Sequence, residues 1–506
     1  MLKNPRKRVL LDYDASTPPT AHDLSISGTS TASAIKRHKG AYDGHELPLP
    51  VQGECARLVT NDPVHGKRAL IIQPNQTFRI GRSQNSDYQI QDRSVSNSHC
   101  RFYSLVSDTG EILICLEDFS LNGTLHNDRR LSKSTVVLCE GDRIEVGTRV
   151  FRFFQTIKDT ASVSNVTFPR TSSDLALDLS KTLSSFKRVG HYTVLPCTLG
   201  SGAFATVVLA FNTKTLKQVA CKRMVNRVVG EKNLSSVRRE VEMLKKASHP
   251  NINKIVDVEI LDGIVHIFLE LVSGGDLFSY LVKKGRLDAS EAKWIIYQVL
   301  QALVYLHSEI IVAHRDIKLE NVLLCNSGPF PKVQLADFGQ AAIANRDFQS
   351  LKGTLSYMAP EILQGWTRRS GYDGKISDIW STGVLLCFLL TGGHPFEPVT
   401  SASHSLSHNH NNFGNTVFGP TASGEFEQNS VEQRLCLSVI NGNVGLPRMK
   451  FGSHDSEARD LLCSLMNPDP KKRVSAKRAI RSKWFKASAF ELKEMYKKVV
   501  GVEPVL

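Results

Sequence analysis

Large apolar residues fall along this chain in blocks of different period, and the blocks outline its architecture. Residues 1–52 are rich in Ser, Thr, Pro and Gly and carry few large apolar side chains, too few to offset the entropy of folding, so a disordered basic tail is expected. From 53 to 156 short β-rich runs take over, among them Ala69-Leu70-Ile71-Ile72, Glu111-Ile112-Leu113-Ile114-Cys115-Leu116 and Val150-Phe151-Arg152-Phe153-Phe154, separated by Asp, Asn and Gly turns. Many short strands of this kind predict a β-sandwich. Residues 157–190 return to Ser, Thr and Lys, a predicted linker, and from 191 to 486 strands give way to helical periodicity. Within that larger block, residues 398–430, with His404 to Gln428 at their centre, form an insertion of Ser, Asn, His and Gly expected to be a flexible surface loop. Residues 487–506 read as a short C-terminal tail.

A chain of 506 residues with 41% apolar content suggests about two to four domains with ample material for packed cores. The longest apolar stretches, such as Val384-Leu385-Leu386-Cys387-Phe388-Leu389-Leu390, are too short to cross a bilayer, and the first residues carry charge where a signal peptide needs an apolar core. A soluble intracellular protein without membrane contact is expected. The ten cysteines include no Cys-x-x-Cys pair, which argues against a zinc module or a disulfide scaffold. His404, His408 and His410 lack the cysteines or rigid frame of a metal site. Net charge is +14, and Lys471 to Lys498 holds eleven Lys or Arg against two Glu. That stretch reads as a solvated surface at the end of a domain, so direct nucleic-acid binding is not expected. Pro5-Arg6-Lys7-Arg8 and Lys36-Arg37-His38-Lys39 have the character of a nuclear import signal, which points to the nucleus.

The densest chemistry lies in His314-Arg315-Asp316-Ile317-Lys318-Leu319-Glu320-Asn321, followed sixteen positions after Asn321 by Asp337-Phe338-Gly339. A carboxylate and an amide on one loop, then an aspartate on a turn after the strand-like Lys332-Val333-Gln334-Leu335, suit phosphoryl transfer from Mg-ATP to a hydroxyl, where positioning and charge neutralisation do most of the catalysis. In that chemistry Asp316 accepts the hydroxyl proton, Lys318 steadies the transferred phosphoryl, and Asn321 with Asp337 holds Mg2+. Upstream, Leu199-Gly200-Ser201-Gly202-Ala203-Phe204-Ala205-Thr206-Val207 is a small-residue turn whose amides can approach phosphates, with Ala205 where a third glycine is usual. Lys222, on the apolar run Val219-Ala220-Cys221-Lys222, can reach the α and β phosphates, and Glu240 on a helical stretch would orient it by an ion pair. Glu242, two positions on, points about 200° away around a helix.

With these motifs in order, residues 192–486 resemble a eukaryotic protein kinase, which implies a bilobal α+β domain using ATP and Mg2+. The resemblance makes Glu270 to Val272 the adenine-binding hinge, Leu269 the gatekeeper, and Ala359-Pro360-Glu361, Asp378 to Gly383 and Arg473 the frame of the large lobe, with Glu361 and Arg473 paired. Lys318 matches the serine/threonine pattern. Asp276 and Glu320 stand where calmodulin-kinase-group members place acids that meet an arginine of a basic substrate, although Asp276 is equally suited to a ribose contact. Arg315 beside Asp316 implies activation by loop phosphorylation, with Ser350 as phosphoacceptor and Thr354 touching both substrate and Asp316. Leu355 and Leu319 replace common prolines.

In the first block, Phe78-Arg79-Ile80-Gly81-Arg82, Ser96-Asn97-Ser98-His99 and Ser120-Leu121-Asn122-Gly123-Thr124 resemble the motifs of a forkhead-associated (FHA) domain, a reader of phosphothreonine. The resemblance gives phosphate contacts to Arg82, Ser96 and Asn97 and a peptide main-chain contact to Asn122, with His99 a buried structural imidazole and Leu121 in place of a phosphate-contacting Ser or Thr. An all-β reader ahead of such a kinase is similar to the nuclear checkpoint kinases, including fungal DNA-damage effector and meiotic recombination members. What this implies is recruitment to a phosphothreonine-bearing adaptor, self-association of kinase copies and phosphorylation in trans at Ser350. The single Ser-Gln dipeptide, Ser83-Gln84, lies inside the reader. A phosphopeptide-tethered pseudokinase scaffold and a pure binding module are the alternatives; intact Lys222, Asp316 and Asp337 weigh against the first.

Overall fold

The computed structural model describes residues 11–12, 54–63, 66–107, 111–155, 182–201, 205–225, 245, 247–325, 329–344, 348, 354–368, 371–396, 437–440 and 456–505. They form two compact units, one made of most of the N-terminal sandwich, the other of residues 172 onward together with Glu117–Gly123 and Arg129–Val136.

The sandwich pairs a seven-stranded with a five-stranded sheet. The first runs Leu11–Asp12, Gly66–Ile72, Ala56–Asp62, Arg149–Gln155, Arg143–Val146, Thr124–His126 and Arg129–Leu131. The second runs Thr135–Val137, Ile112–Asp118, Cys100–Val106, Thr77–Gly81 and Tyr88–Gln89. In Arg149–Gln155 alternation is plain: Phe151 and Phe153 are fully buried while Val150 and Arg152 face out, the period of two that a half-buried strand imposes. The two sheets meet where the Tyr88 ring stands edge-on to Phe151, centroids 5.6 Å apart, with its hydroxyl donating to Asp62 Oδ2 at 2.6 Å. One departure from the composition-based expectation stands at the start of the chain. Leu11 and Asp12, inside the stretch expected to be structureless, pair antiparallel with Ala69 and Arg68 as an edge strand, through backbone bonds that need no apolar content.

The second unit has two lobes. The small lobe is an antiparallel sheet ordered Arg188–Val189, Tyr192–Ser201, Thr206–Asn212, Gln218–Val225, Ile264–Glu270, Ile255–Leu261. It begins inside the stretch expected to be linker: Leu183 is buried, its carbonyl accepts from Thr193 Oγ1 at 3.2 Å, and Val189 pairs with Tyr192. The large lobe is helical, with Leu277–Lys284, Ala289–Ser308, Pro360–Arg368, Gly374–Thr391, Ser456–Leu465, Ala476–Ile480, Lys483–Lys486 and Ala489–Val500 around a core containing Trp294, Trp380, Phe388, Phe485 and Tyr496. The segment expected to be a C-terminal tail is thus an integral helix. Leu492, Tyr496 and Val500, one every four residues, form a buried stripe. The apolar helix Gly374–Thr391 is long enough to span a bilayer, but its residues are mostly buried within the lobe. The Lys and Arg residues between Lys471 and Lys498 are solvent-facing apart from Arg473.

Candidate active site

The central loop is fixed by one buried carboxylate. Asp378, 1% exposed on the helix Gly374–Thr391, accepts from the backbone N–H of His314 (2.9 Å) and of Arg315 (2.7 Å), and its Oδ2 lies 2.9 Å from His307 Nε2. Arg315 thereby sits in the left-handed region, φ 68°, which side chains other than glycine rarely adopt. Its guanidinium lies over the Phe348 ring at 4.1 Å and donates to the Tyr372 hydroxyl from Nη2 at 2.9 Å. The His314 ring is fully buried, with Nε2 3.0 Å from Ala336 O, which joins the loop to the segment before Asp337.

Around Asp316 the structure gathers the residues singled out for chemistry. Thr354 donates to Asp316 Oδ1 from both N–H (3.1 Å) and Oγ1 (3.0 Å). Lys318 Nζ donates to Thr354 Oγ1 at 2.9 Å and pairs with Asp316 Oδ2 at 3.2 Å. Asn321 Nδ2 donates to Asp316 O (2.7 Å) and Oδ2 (3.0 Å), leaving Asn321 Oδ1 without a hydrogen bond among the described residues. Asp337, also left-handed at φ 60°, accepts from Gly339 N–H at 3.1 Å and from the Lys222 ammonium. Burial pushes its carboxyl up, but the Lys222 ammonium and the Gly339 N–H outweigh that and hold it below the usual carboxylate range. Asp337 is therefore an ionised hard-oxygen donor, and Asn321 Oδ1 is a neutral one. That donor set fits Mg2+, which keeps several waters and substrate phosphates and asks for only one or two protein ligands.

Lys222 lies on the strand Gln218–Val225, opposite Val207 of the turn that would cover phosphates. That turn is a hairpin in which Gly200 pairs with Val207 and Ser201 with Thr206, while Leu199 precedes it and Ala205 stands within the connection, just before Thr206. A Cβ at Gly200 would meet nothing within 4 Å, so the backbone there is open to close approach. Gly202, Ala203 and Phe204 lie outside the described residues, as do Glu240, Ser350 and the histidines of the 398–430 insertion. At the hinge, Glu270 N–H donates to Lys254 O (2.9 Å) and its carbonyl accepts from Asn253 Nδ2 (3.0 Å); Leu269 is half-buried, and Val272 follows on the exit from the sheet.

Asp276 is the N-cap of the helix Leu277–Lys284, accepting from Ser279 N–H at 2.6 Å and Ser279 Oγ at 3.1 Å, so its carboxylate has a structural task of its own. Glu320 differs. Its Oε2 is buried with no hydrogen-bond partner among the described residues, and burial above all holds its carboxyl above the usual range, with Asp276 and Asp316 pushing the same way against Lys318. The large-lobe frame is closed by Arg473, whose fully buried guanidinium grips both oxygens of Glu361 (2.6 and 2.8 Å) and stacks 5.1 Å over Trp380. Sequence reasoning named Asp378 only as part of that frame; its role in holding the loop backbone is visible only in three dimensions.

In the sandwich, two loops are laced together by backbone bonds, Arg82 N–H to Ser96 O at 2.9 Å and Ser83 N–H to Asn97 O at 3.2 Å. They approach so closely that a Cβ on Gly81 would meet Asn97 O at 2.2 Å. Arg82 and Asn97 are exposed and Ser96 is half-buried. The Arg82 Nε donates to Val95 O at 3.1 Å, which anchors the guanidinium stem. His99 is buried and its Nδ1 accepts from Ser96 N–H at 3.1 Å, shaping that loop from beneath. Asn122 lies on its own turn, its carbonyl held by Arg130 Nη1 at 2.7 Å, beside Leu121, which is 69% exposed.

Comparison with known proteins agrees with both halves. The protein kinase domain family matches residues 194–485, and the FHA domain family matches residues 78–147. The serine/threonine-protein kinase cds1 of Schizosaccharomyces pombe is 30% identical over 87% of this chain and 92% of its own length. The meiosis-specific serine/threonine-protein kinase mek1 of the same organism is 29% identical over 87% of this chain and 88% of its own. The serine/threonine-protein kinase RAD53 of Saccharomyces cerevisiae is 28% identical over 82% of this chain, which spans 50% of that longer protein. A kinase domain binds ATP, and an FHA domain implies partners that carry phosphothreonine. The chain belongs to the protein kinase family, as a serine/threonine protein kinase with an FHA domain ahead of its catalytic domain.

Proposed function

We propose that this kinase transfers the γ-phosphate of Mg-ATP to Ser or Thr of basic protein substrates, and that its FHA domain recruits it to a phosphothreonine-bearing adaptor in nuclear DNA-damage or meiotic checkpoint signalling. The observation that carries the catalytic reading is the ring of donors around Asp316: Thr354 on one oxygen, Lys318 and Asn321 on the other. Asp316 accepts the proton of the incoming hydroxyl, and Thr354 holds the carboxylate in the orientation to do so. Lys318, already shared between Thr354 and Asp316, steadies the transferred phosphoryl group. Asn321 and Asp337 would hold Mg2+, whose chemistry is to neutralise charge on the phosphate oxygens. Lys222 exchanges its contact with Asp337 for the nucleotide phosphates.

The half-buried Glu320, whose Oε2 has no hydrogen-bond partner among the described residues, supports a basic substrate, because an arginine would restore its charge and satisfy that oxygen together. Recruitment by the reader raises local kinase concentration, the condition for phosphorylation in trans at Ser350. The likeness to mek1, a meiosis-specific kinase by its description, supports the meiotic side of the reading. Nuclear entry rests on the basic runs Pro5–Arg8 and Lys36–Lys39.

The test is phosphate transfer from labelled ATP to an arginine-containing serine peptide. Asp316→Ala is expected to cut turnover about 10²- to 10⁴-fold. Equal turnover in both proteins would remove Asp316 from the chemistry, and background turnover in the wild type would favour the scaffold alternative.

A further inference from the structure

A buried polar chain ties the last helix to the strand that leads to Asp337. The helix Ala489–Val500 lies beyond residue 485, where the match to the kinase family stops. Its Tyr496 is fully buried, with its ring edge-on to Trp294 and Tyr297 at 6.3 and 5.8 Å, and its hydroxyl donates to Asn251 Oδ1 at 2.5 Å. Asn251, also fully buried, donates from Nδ2 to Val333 O (2.8 Å) and to Gln298 Oε1 (3.0 Å), and its carbonyl accepts from Leu335 N–H (2.8 Å). One residue therefore grips both ends of the strand Val333–Leu335, two positions before Asp337. Asn253 continues the chain: its N–H donates to Leu335 O at 2.8 Å, and its Nδ2 reaches Glu270 O of the hinge at 3.0 Å and Gln334 Oε1 at 3.2 Å.

We infer that Tyr496 is a positioning residue for nucleotide binding, acting from beyond the matched catalytic domain through Asn251 on the strand before Asp337 and, by way of Asn253, which bonds to that same strand, on the hinge. The chemistry of the amide gives the reason. A side-chain amide could sit in either of two orientations, and a hydroxyl donor facing Oδ1 selects the one in which the NH2 group faces Val333 O and Gln298 Oε1. Without that donor, Asn251 Oδ1 is a buried acceptor with nothing to accept from Tyr496, and the amide rotates or withdraws from the strand. Asp337 and the Glu270 carbonyl, which must hold the two ends of one ATP molecule, then lose their common reference.

This inference rests on the kinase reading, and the experiment separates the two. In the full-length chain, Tyr496→Phe keeps the ring and removes the hydroxyl. It is expected to weaken binding of a non-hydrolysable ATP analogue, measured by calorimetry, about tenfold, and to raise KM for ATP in step while kcat at saturating ATP changes less. Leu492→Ala, on the same helix but outside the polar chain, is the control. It should lower the unfolding temperature at least as much and leave analogue affinity at the wild-type value. Wild-type affinity in Tyr496→Phe would overturn the inference, and so would equal weakening by Leu492→Ala. Failure of the kinase reading looks different: phosphate transfer would then be the same in wild type and Asp316→Ala.

Discussion

Asp378 offers the sharpest test of how the catalytic loop is held, because a single carboxylate serves two buried backbone donors and a histidine. Asp378→Ala removes the acceptor for His314 N–H and Arg315 N–H. At about 1–3 kcal/mol for each buried donor left unpaired, the loss is about 2–6 kcal/mol. Arg315 adds to this, since its left-handed backbone, intrinsically unfavourable by about 1–2 kcal/mol, is held by the same bond. Set against a typical total of about 5–15 kcal/mol, such a loss leaves the catalytic unit marginal. Asp378→Asn keeps one oxygen acceptor but turns an NH2 group toward a second donor, so about 1–3 kcal/mol is expected. Calorimetric unfolding of the full chain, following the transition that a bound ATP analogue raises, would measure both losses. Turnover well below that transition should fall in the same order, Ala below Asn below wild type, since Asp316 is the next residue along. An Asp378→Asn protein with wild-type unfolding and turnover would refute the view that this carboxylate positions the loop.

Arg82→Ala is expected to weaken a phosphothreonine peptide about 10- to 100-fold by fluorescence anisotropy, the loss of a charge-assisted contact, while peptide phosphorylation at saturating substrate stays unchanged; undiminished binding would place the phosphate elsewhere. His249 gives a pH signature. Burial lowers its pKa from 6.5 to about 4, so the unfolded chain takes up the proton first. The stability this histidine contributes is complete above pH 6.5 and is lost as pH falls toward about 4. His249→Gln should flatten the fall in unfolding temperature across that window, and an unchanged slope would exclude His249 as its source. Glu320→Gln should narrow the preference for arginine-containing over arginine-free peptides, read as a ratio of kcat/KM; an unchanged ratio would move substrate recognition to other acids.

What could be read from the sequence depended on how far apart the cooperating residues lie. Asp316, Lys318 and Asn321 crowd into six positions, and alternation such as that around Phe151 and Phe153 is a local signal, so the candidate chemistry and the strands stood out. The grip of Asp378 on the loop backbone did not, because this is one acid in an apolar helix whose partners are more than sixty residues away. Tyr496 is hidden further: the stripe Leu492, Tyr496, Val500 is interrupted by Glu and Lys and sits beside the exposed Phe490, so the segment reads as a short C-terminal tail. The start of the small lobe escaped notice because Leu183 and Val189 are the buried apolar residues of a Ser- and Lys-rich stretch. Leu11 and Asp12 join the sandwich through main-chain pairing, which leaves no mark in composition.

The contact between Lys222 and Asp337 has a consequence for inhibitors. Any ligand that carries phosphates and a metal must part these two side chains, because it claims the ammonium for its phosphates and the carboxylate for its cation. A compound that occupies only the space beside Glu270 and Leu269 leaves the pair intact and forfeits nothing. Small hinge-directed molecules therefore compete with ATP here from an advantage, and their affinity should respond far less than that of ATP to Lys222→Met.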